Sequence, residues 1–534
     1  MLKRLRFILT VIALLAAVGI SAQVTTATMS GKVTAQDEPI IGATIVAIHE
    51  PSGTRYGTVT NVSGQFTLQG MRTGGPYKVE ISYVGYQTAI YKGINLLLGE
   101  NYVLNVSLKE SSELLDEVVV TASKDSNMKS DRAGAVTNLT SAKIASIPTV
   151  SRSMNDIMRL SPQSNTTSNG FAAGGGNYRQ SFVTVDGASF NNAFGIGSNL
   201  PAGGAPISLD ALEQLSVSIT PYDVRQSGFT GAAINAVTKS GTNELTGSAY
   251  TFLTNNNLIG DRVGDNSIEL EKSHQYTYGA TLGGALIKNK LFFFVNGEYE
   301  NDLTAGPIAR ARNDESEKYG VNGIHRPVAS KMDEIRDYLI NKYDYDPGAY
   351  QGYNVTVPSY KFLARLDWNI NENNKVNVRF SKTNNKYNAS PSTSVNPMTA
   401  STIFPGNNGT ISSGKGASND EGLYFRNTRY FQEQRFTSVA TEWNAKWGLV
   451  NNTLRGTYSY QDEPRSYDGG SFPTTYILEE GAVYAMFGTE LFTEGNIRQV
   501  KSFTITDEAT WTWGKHDFMA GLQFEHNKAV NGYM

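Results

Sequence analysis

The side chains that usually carry chemistry are few and scattered in this chain. The five histidines, His49, His274, His325, His516 and His526, stand far apart, and no His-Glu-x-x-His spacing occurs. His49 reads as a surface histidine on a loop. There is no cysteine, which rules out a disulfide framework and a thiolate metal site. GFAAGGG, Gly170 to Gly176, has the glycine content of a phosphate loop. It lacks the Lys-Ser/Thr ending and the following helix, so a flexible loop is expected. Asp344 and Asp346 offer oxygens that suit calcium, yet the Gly and Glu spacing of a calcium loop is missing, and solvated acids are the expectation. These residues point to no catalytic group, no metal and no cofactor. A different feature stands out in ELLDEVVVTASKDS, Glu113 to Ser126. Three consecutive valines with high strand propensity follow two carboxylates and then give way to polar residues. This short, strand-prone run lies where two folded regions meet.

The elements around that run follow from composition. The chain has 534 residues, enough for several domains, and a net charge of −3, which suggests neither nucleic acid nor an acidic substrate. With 52 Gly, 28 Tyr and only 18% charged residues, turns and aromatics dominate, which favours β-structure. Residues 1–22 read as a signal peptide: Lys3, Arg4 and Arg6 precede the apolar run Phe7 to Ile20, and Ser21-Ala22 supplies small residues before Gln23. That run is short for a helix crossing about 30 Å of hydrocarbon. No other apolar run is long enough to span as a helix, so any membrane entry must use strands.

Residues 24–109 show short alternating runs separated by Gly, Asn and Asp, the pattern of a small sandwich. The stretch GKVTAQDEPIIGATIVAI, with GTVTNVSGQFTLQG and YKVEISYVGYQT after it, resembles the carboxypeptidase regulatory-like domain. That resemblance implies a transthyretin-like fold, with Gly31, Gly42, Gly64, Gly85 and Tyr86 at its characteristic points. Residues 127–242 mix short helices, glycine-rich loops and strands. SRSMNDIMRLSP carries Met154, Ile157, Met158 and Leu160 at helical spacing after the caps Ser151 and Ser153. FVTVDGASF alternates into an Asp-Gly turn. "VDG" (Val185 to Gly187) and "GAAINAVTKSGTN" (Gly231 to Asn243) resemble the plug domain of TonB-dependent outer-membrane receptors. PYDVRQSGFTG leans toward their Oar-like, Bacteroidetes-type branch.

From residue 245 to 534 the periodicity is two. In YKFLARLDWNI, Tyr360, Phe362, Ala364, Leu366, Trp368 and Ile370 alternate with Lys361, Leu363, Arg365, Asp367 and Asn369. VNVRFS, TSVATEWNAKW and DFMAGLQFE repeat the pattern. A transmembrane β-barrel needs it: apolar side chains toward lipid, polar ones toward the lumen and aromatics at the interfaces. Short turns at Ile287–Lys290, Asn371–Asn374 and Gly448–Asn452 alternate with long polar loops near 301–357, 385–432 and 463–497. Asp507 is a departure, falling on the apolar Phe503–Ile505 face. About nine strands are expected, near 245–254, 274–286, 291–300, 359–370, 375–384, 434–447, 453–462, 500–513 and 516–526. Plugged barrels of this kind have about 22 strands. The expected fold is therefore mainly β: a transthyretin-like sandwich, an α+β plug and an incomplete antiparallel transmembrane barrel, read as the N-terminal part of a longer protein.

In this frame the run Leu115, Asp116, Glu117, Val118, Val119, Val120, Thr121 and Ala122, within the linker 113–126, resembles the TonB box of such receptors. The resemblance implies pairing by β-augmentation with an energy-transducing partner in the periplasm. The residues alone also allow an ordinary linker or a last strand of the sandwich. The family implies outer-membrane import in a Gram-negative bacterium, driven by TonB with ExbB and ExbD, in contact with lipid and with a surface lipoprotein as a further candidate partner. It implies a transporter and not an enzyme. The substrate class stays open among glycan, peptide, siderophore and cobalamin. Two other functions are compatible: an adhesin or scaffold that presents the long loops, and a periplasmic carbohydrate- or peptide-binding role for the sandwich. For the latter, Tyr77, Tyr83 and Tyr86 read as core or rim.

Overall fold

The computed structural model describes residues 24–110, 118–121, 136–149, 151–167, 170–192, 194, 198–220, 223–226, 228–267, 272–391, 420, 422–479, 482–514 and 516–532. The signal-peptide reading, and Leu115, Asp116, Glu117 and Ala122 of the valine run, lie outside these residues.

The N-terminal region is a two-sheet sandwich. One sheet is built on β1 (Ala27–Ala35), and the other begins with β2 (Thr44–His49) and β3 (Thr54–Val59). β4 (Gln65–Met71) pairs with β1, while β5 (Gly74–Ser82) and β6 (Ala89–Leu96) extend the second sheet. Alternating inward residues, among them Met29, Ile45, Tyr77, Val79 and Leu96, fill the space between the sheets. His49 departs from expectation. It is 6% exposed at the end of β2, where its Nδ1 is 2.7 Å from Ser52 Oγ and its ring meets Tyr77 at 5.0 Å. Burial, reinforced by the Arg72 charge, pulls its pKa down to about 3, so the ring stays neutral. Tyr77 is core, whereas Tyr83 is exposed and contacts Tyr86.

After two short strands, Asn101–Val103 and Val106–Ser107, that run parallel to β1 comes β7 (Val118–Thr121), the middle of the valine run. It lies parallel to β6, with Val118 opposite Ala89 and Thr121 opposite Lys92, and forms the outer strand of the second sandwich sheet.

Between sandwich and wall sits a mixed sheet of β8 (Val136–Thr140), β9 (Phe182–Val185), β10 (Leu212–Ser218) and β11 (Ala233–Thr238). Helices α1 (Ser141–Ser146) and α2 (Met154–Met158) accompany it. Ser153 caps α2, and Met154, Ile157 and Met158 are buried. Leu160 lies past the helix end and is exposed. The glycine-rich stretch is only partly loop: Gly170–Ala173 pairs with Ser164–Thr167 and is buried. Phe171 and Ala173 are buried in the core, which fixes this hairpin.

The wall is one antiparallel sheet of nine long strands in chain order. These are β12 (Thr246–Asn255), β13 (His274–Ile287), β14 (Leu291–Ala305), β15 (Asn354–Asn371), β16 (Asn374–Ala389), β17 (Tyr430–Trp447), β18 (Val450–Asp462), β19 (Ile497–Trp513) and β20 (His516–Gly532). They run up to six residues beyond the sequence expectation, mostly at the ends that meet the long loops. The alternation is realised residue by residue. One outward rung reads Phe293, Leu366, Val378, Thr441, Gly456, Ile505 and Phe524 across adjacent strands. Trp368 is 50% exposed on this face, while Lys361, Leu363 and Asp367 are buried on the other. Apolar groups outside and polar groups inside suit a surface whose surroundings are hydrocarbon. Asp507 does lie outward, opposite Leu454 and Leu522, and its carboxylate accepts a hydrogen bond from Asn452 at 2.7 Å. Among the described residues no helix is long and apolar enough to cross a membrane.

At the long-loop end, α3 (Ala329–Tyr343) buries Met332 and Leu339. The helix ends at Asp344 in the left-handed region (φ 53°). Asp346 accepts from Arg336 at 3.2 Å and from the Gly348 amide at 2.9 Å. The arginine holds that carboxyl below its usual range. These acids serve the loop, and among the described residues no cluster of three or more His, Asp or Glu could hold a metal.

Candidate functional site

The Asp-Gly turn after β9 is where inner sheet, wall and sandwich converge. Asp186 (φ 47°) and Gly187 (φ 77°) both lie in the left-handed region, as a tight hairpin turn between Phe182–Val185 and Ala188–Ser189 demands. Glycine is needed at 187 for space as well. A Cβ there would stand 2.4 Å from Arg455 Cδ of the wall.

The turn aims the Asp186 carboxylate at two wall arginines. Arg365 on β15 and Arg379 on β16 are directly opposite cross-strand neighbours. Like charges in that register repel, so the pair needs an anion between them, and Asp186 supplies it. Arg365 Nη1 is 3.1 Å from Asp186 Oδ1, and Arg379 Nε stands 3.0 Å from Oδ2, off the hydrogen-bond direction. Arg379 is fully buried and donates to Ser381 Oγ (2.7 Å), Ser438 Oγ (3.0 Å) and the Val185 carbonyl (3.3 Å). On the inner side, the Thr238 amide (3.0 Å) and hydroxyl (2.8 Å) donate to the same carboxylate. A buried charge is tolerable only when paired and hydrogen-bonded this fully.

The charges continue into the sandwich. Arg365 pairs with Asp367 at 2.9 Å, and Asp367 pairs with Arg72 of the sandwich at 3.1 Å. An unbroken line of ion pairs, Asp186–Arg365–Asp367–Arg72, thus ties three regions together. Three further polar contacts flank it. Glu298 of β14 binds Lys361 (2.7 Å), the Ser208 hydroxyl (2.8 Å) and the Tyr250 hydroxyl (2.9 Å). Arg152 pairs with Asp210 within the inner region and stacks over Phe252 of β12 on the wall. Glu442 of β17 accepts from Arg455 (2.8 Å) and from Thr25 of the sandwich (2.6 Å).

The sandwich sits at the short-turn end of the wall. Asn369 donates to Thr54 at 2.9 Å, and Asn61 donates to the Gly514 carbonyl at 3.0 Å. It also grips the inner sheet, since Gln214 donates to the Leu96 carbonyl (3.0 Å) and accepts from the Leu98 amide (2.8 Å). On the opposite, long-loop side of the inner sheet lies a lumen cavity of 580 Å³, lined by Asn192, Ser198, Glu300, Asp302, Ser359 and Lys386 among others.

Of the residues singled out in the valine run, Val118, Val119, Val120 and Thr121 are placed on the sandwich edge, away from the ionic line. The ionic residues themselves had not been singled out. Their signal was present as charged residues on the inward positions of alternating strands, Arg365, Asp367 and Arg379, together with an Asp at a hairpin turn.

Comparison with known proteins adds family information. Residues 237–533 match the outer membrane beta barrel domain, and residues 28–109 match the carboxypeptidase regulatory-like domain. The TonB-dependent transporter Oar of Myxococcus xanthus is 25% identical over 259 residues, which cover 46% of this chain and 22% of that protein. The outer membrane transporter YddB from Escherichia coli has a similar fold, with a TM-score of 0.52 and 10% identity over 74% of this chain and 48% of that one. The siderophore receptor PirA from Acinetobacter baumannii superposes with a TM-score of 0.47 and 15% identity, again over 74% and 48%. The chain thus matches less than half the length of each.

Proposed function

This chain belongs to the outer membrane beta barrel family, and from that premise we propose that it is part of a TonB-dependent receptor that imports a substrate across the outer membrane. The observation that carries the reading is the sheet lodged inside an apolar-outside wall and held there by Asp186 between Arg365 and Arg379. The stopper meets the wall through these buried polar contacts and through a small apolar patch of Phe294, Leu363, Phe436 and Ala440, with Phe190 against Phe436 at 4.8 Å. Its release needs work, which the inner-membrane complex of TonB, ExbB and ExbD would supply from the proton-motive force. The protein would act as a transporter and not as an enzyme.

Leu115 to Ala122 is the proposed attachment point. In the described part, Val118–Thr121, one edge of the strand pairs with β6, and no strand pairs with its other edge among the described residues. TonB could add to that free edge or replace β6, since both routes use main-chain hydrogen bonds and tolerate varied side chains. The long loops would meet substrate first, and the lumen cavity would receive it above the plug.

These 534 residues hold no cysteine, so a single introduced one reports on its own position within them. A Val119→Cys receptor is exposed in membranes to a TonB periplasmic domain carrying one cysteine in its partner strand. A disulfide-linked heterodimer that forms at Val119, and that a nearby Val118→Pro change abolishes, is the expected result. No cross-link above that of a Val59→Cys control would overturn the reading and favour a loop-presenting adhesin.

A further inference from the structure

The long-loop end carries a groove that the transport reading leaves without a role. α3 forms one wall, and the hairpin of Thr475–Glu479 with Ala482–Phe487 forms the other. The groove is open to solvent and encloses about 1290 Å³. Its floor is apolar, with Ile335 and Leu339 from the helix facing Phe472, Ile477 and Phe487. Phe472 is fixed by stacking on Tyr345 at 4.1 Å, so the floor is preformed.

The rim is acidic. Asp333, Glu334 and Asp337 project from the helix, and Glu479 stands across from them. Among the described residues Lys331 is the single basic residue in the lining, and it is engaged by Glu479 at 3.6 Å and Glu315 at 3.9 Å. Glu479 is further held by Arg326 at 3.0 Å, and Asp333 accepts the Tyr350 hydroxyl at 3.0 Å. Glu334 and Asp337 are exposed, and among the described residues neither makes a hydrogen bond or ion pair. The adjacent Arg336 is committed to Asp346.

This combination selects among ligand classes. Tyr338, Tyr343 and Tyr484 also line the groove and offer faces that a sugar ring or an apolar side chain can cover, but the floor of Leu339, Ile477 and Phe487 leaves sugar hydroxyls without partners, which is costly. Anionic chelates would meet like charge at the rim. A peptide with apolar side chains between lysines or arginines satisfies both features: the floor buries the first and the rim pairs the second. The lumen cavity holds both signs, Lys386 among them, with the acids Glu300, Asp302 and Glu463 in slight excess. Glu300 and Asp302 stand side by side on β14, while the cavity's Arg498 is neutralised by Glu463 at 2.9 Å.

The geometry points to this groove as the docking site for a cationic, apolar-rich peptide, which is the class of substrate the receptor takes. The assignment rests on the transport reading, since the long loops then face the exterior. The test uses the full receptor purified in detergent and a fluorescein-labelled Lys-Leu-Lys-Phe-Lys-Leu-Lys peptide, read by anisotropy. The expected result is saturable binding that weakens about tenfold or more in Glu334→Gln/Asp337→Asn, that fails in Glu334→Lys/Asp337→Lys, and that falls with added salt. Both variants change exposed side chains and leave the fold in place. Equal binding of the glutamate counterpart, affinity unaltered by the variants, no binding at all, or competition by maltoheptaose would each overturn the assignment, the last in favour of a glycan. Binding is read at equilibrium without an energy source, so it can fail or succeed independently of cross-linking at Val119.

Discussion

Replacing Asp186 by Asn should loosen the plug from the wall. The carboxylate has four partners at 3.1 Å or less: the Thr238 amide and hydroxyl, Arg365 and Arg379. Asparagine keeps one acceptor oxygen for the Thr238 amide and turns a donor toward groups that are themselves donors. Arg365 retains Asp367, but Arg379 is left fully buried without a counter-ion, beside another cation on the neighbouring strand. Breaking a buried pair in this way costs about 3–5 kcal/mol. Retention of the three neutral acceptors around Arg379 argues for the lower end. About 3 kcal/mol raises the population of the detached plug by roughly two orders of magnitude. Limited proteolysis of the purified receptor follows that population when opening and closing are fast relative to cleavage. Cleavage within residues 136–238 should therefore speed up about a hundredfold. Arg379→Gln on its own leaves Asp186 with Arg365, and the double variant should be milder than the sum of the singles, because it removes the orphaned cation together with its partner. A single-variant rate within twofold of the parent, or strictly additive effects in the double, would refute the electrostatic account of how the plug is seated.

Three further outcomes are expected. Gly187→Ala should destabilise the same seat, by about 1–2 kcal/mol from the left-handed backbone plus the contact with Arg455; the proteolysis assay should show it as faster cleavage within residues 136–238. His49 is held neutral in the fold with its pKa at about 3, below its unfolded value near 6.5. Its contribution is therefore present above pH 6.5 and lost progressively as pH falls toward 3, up to a few kcal/mol; thermal unfolding of the sandwich followed by hydrogen exchange should show this slope, and His49→Gln should flatten it between pH 6.5 and 4. Ala364→Arg places a charge on the outward face midway between Tyr360 and Trp368, at a cost of about 2–4 kcal/mol in hydrocarbon; reconstitution of the complete receptor into lipid vesicles should drop accordingly, whereas the same change in detergent should have little effect on the inner sheet.

The sequence by itself determined what depends on neighbours along the chain. Alternation with period two assigned the strands of the wall and the face each residue takes, because successive side chains of a strand must point to opposite sides. Tyr360, Leu366 and Trp368 outside with Lys361 and Asp367 inside are that rule made visible. Local turn chemistry likewise announced the hairpin at Asp186-Gly187 and the start of α2 at Ser153. Tertiary structure alone decided which inward charges meet. Asp186 and Arg379 are 193 positions apart, and Arg72 and Asp367 are 295, and no local pattern encodes such pairings. It also decided that His49 is buried and not on a loop surface, because strands distant in sequence close over it. The same holds for Val118–Thr121: propensity makes it a strand, but a strand has no stable place until another edge offers hydrogen bonds, and β6 supplies that edge only once the sandwich has folded.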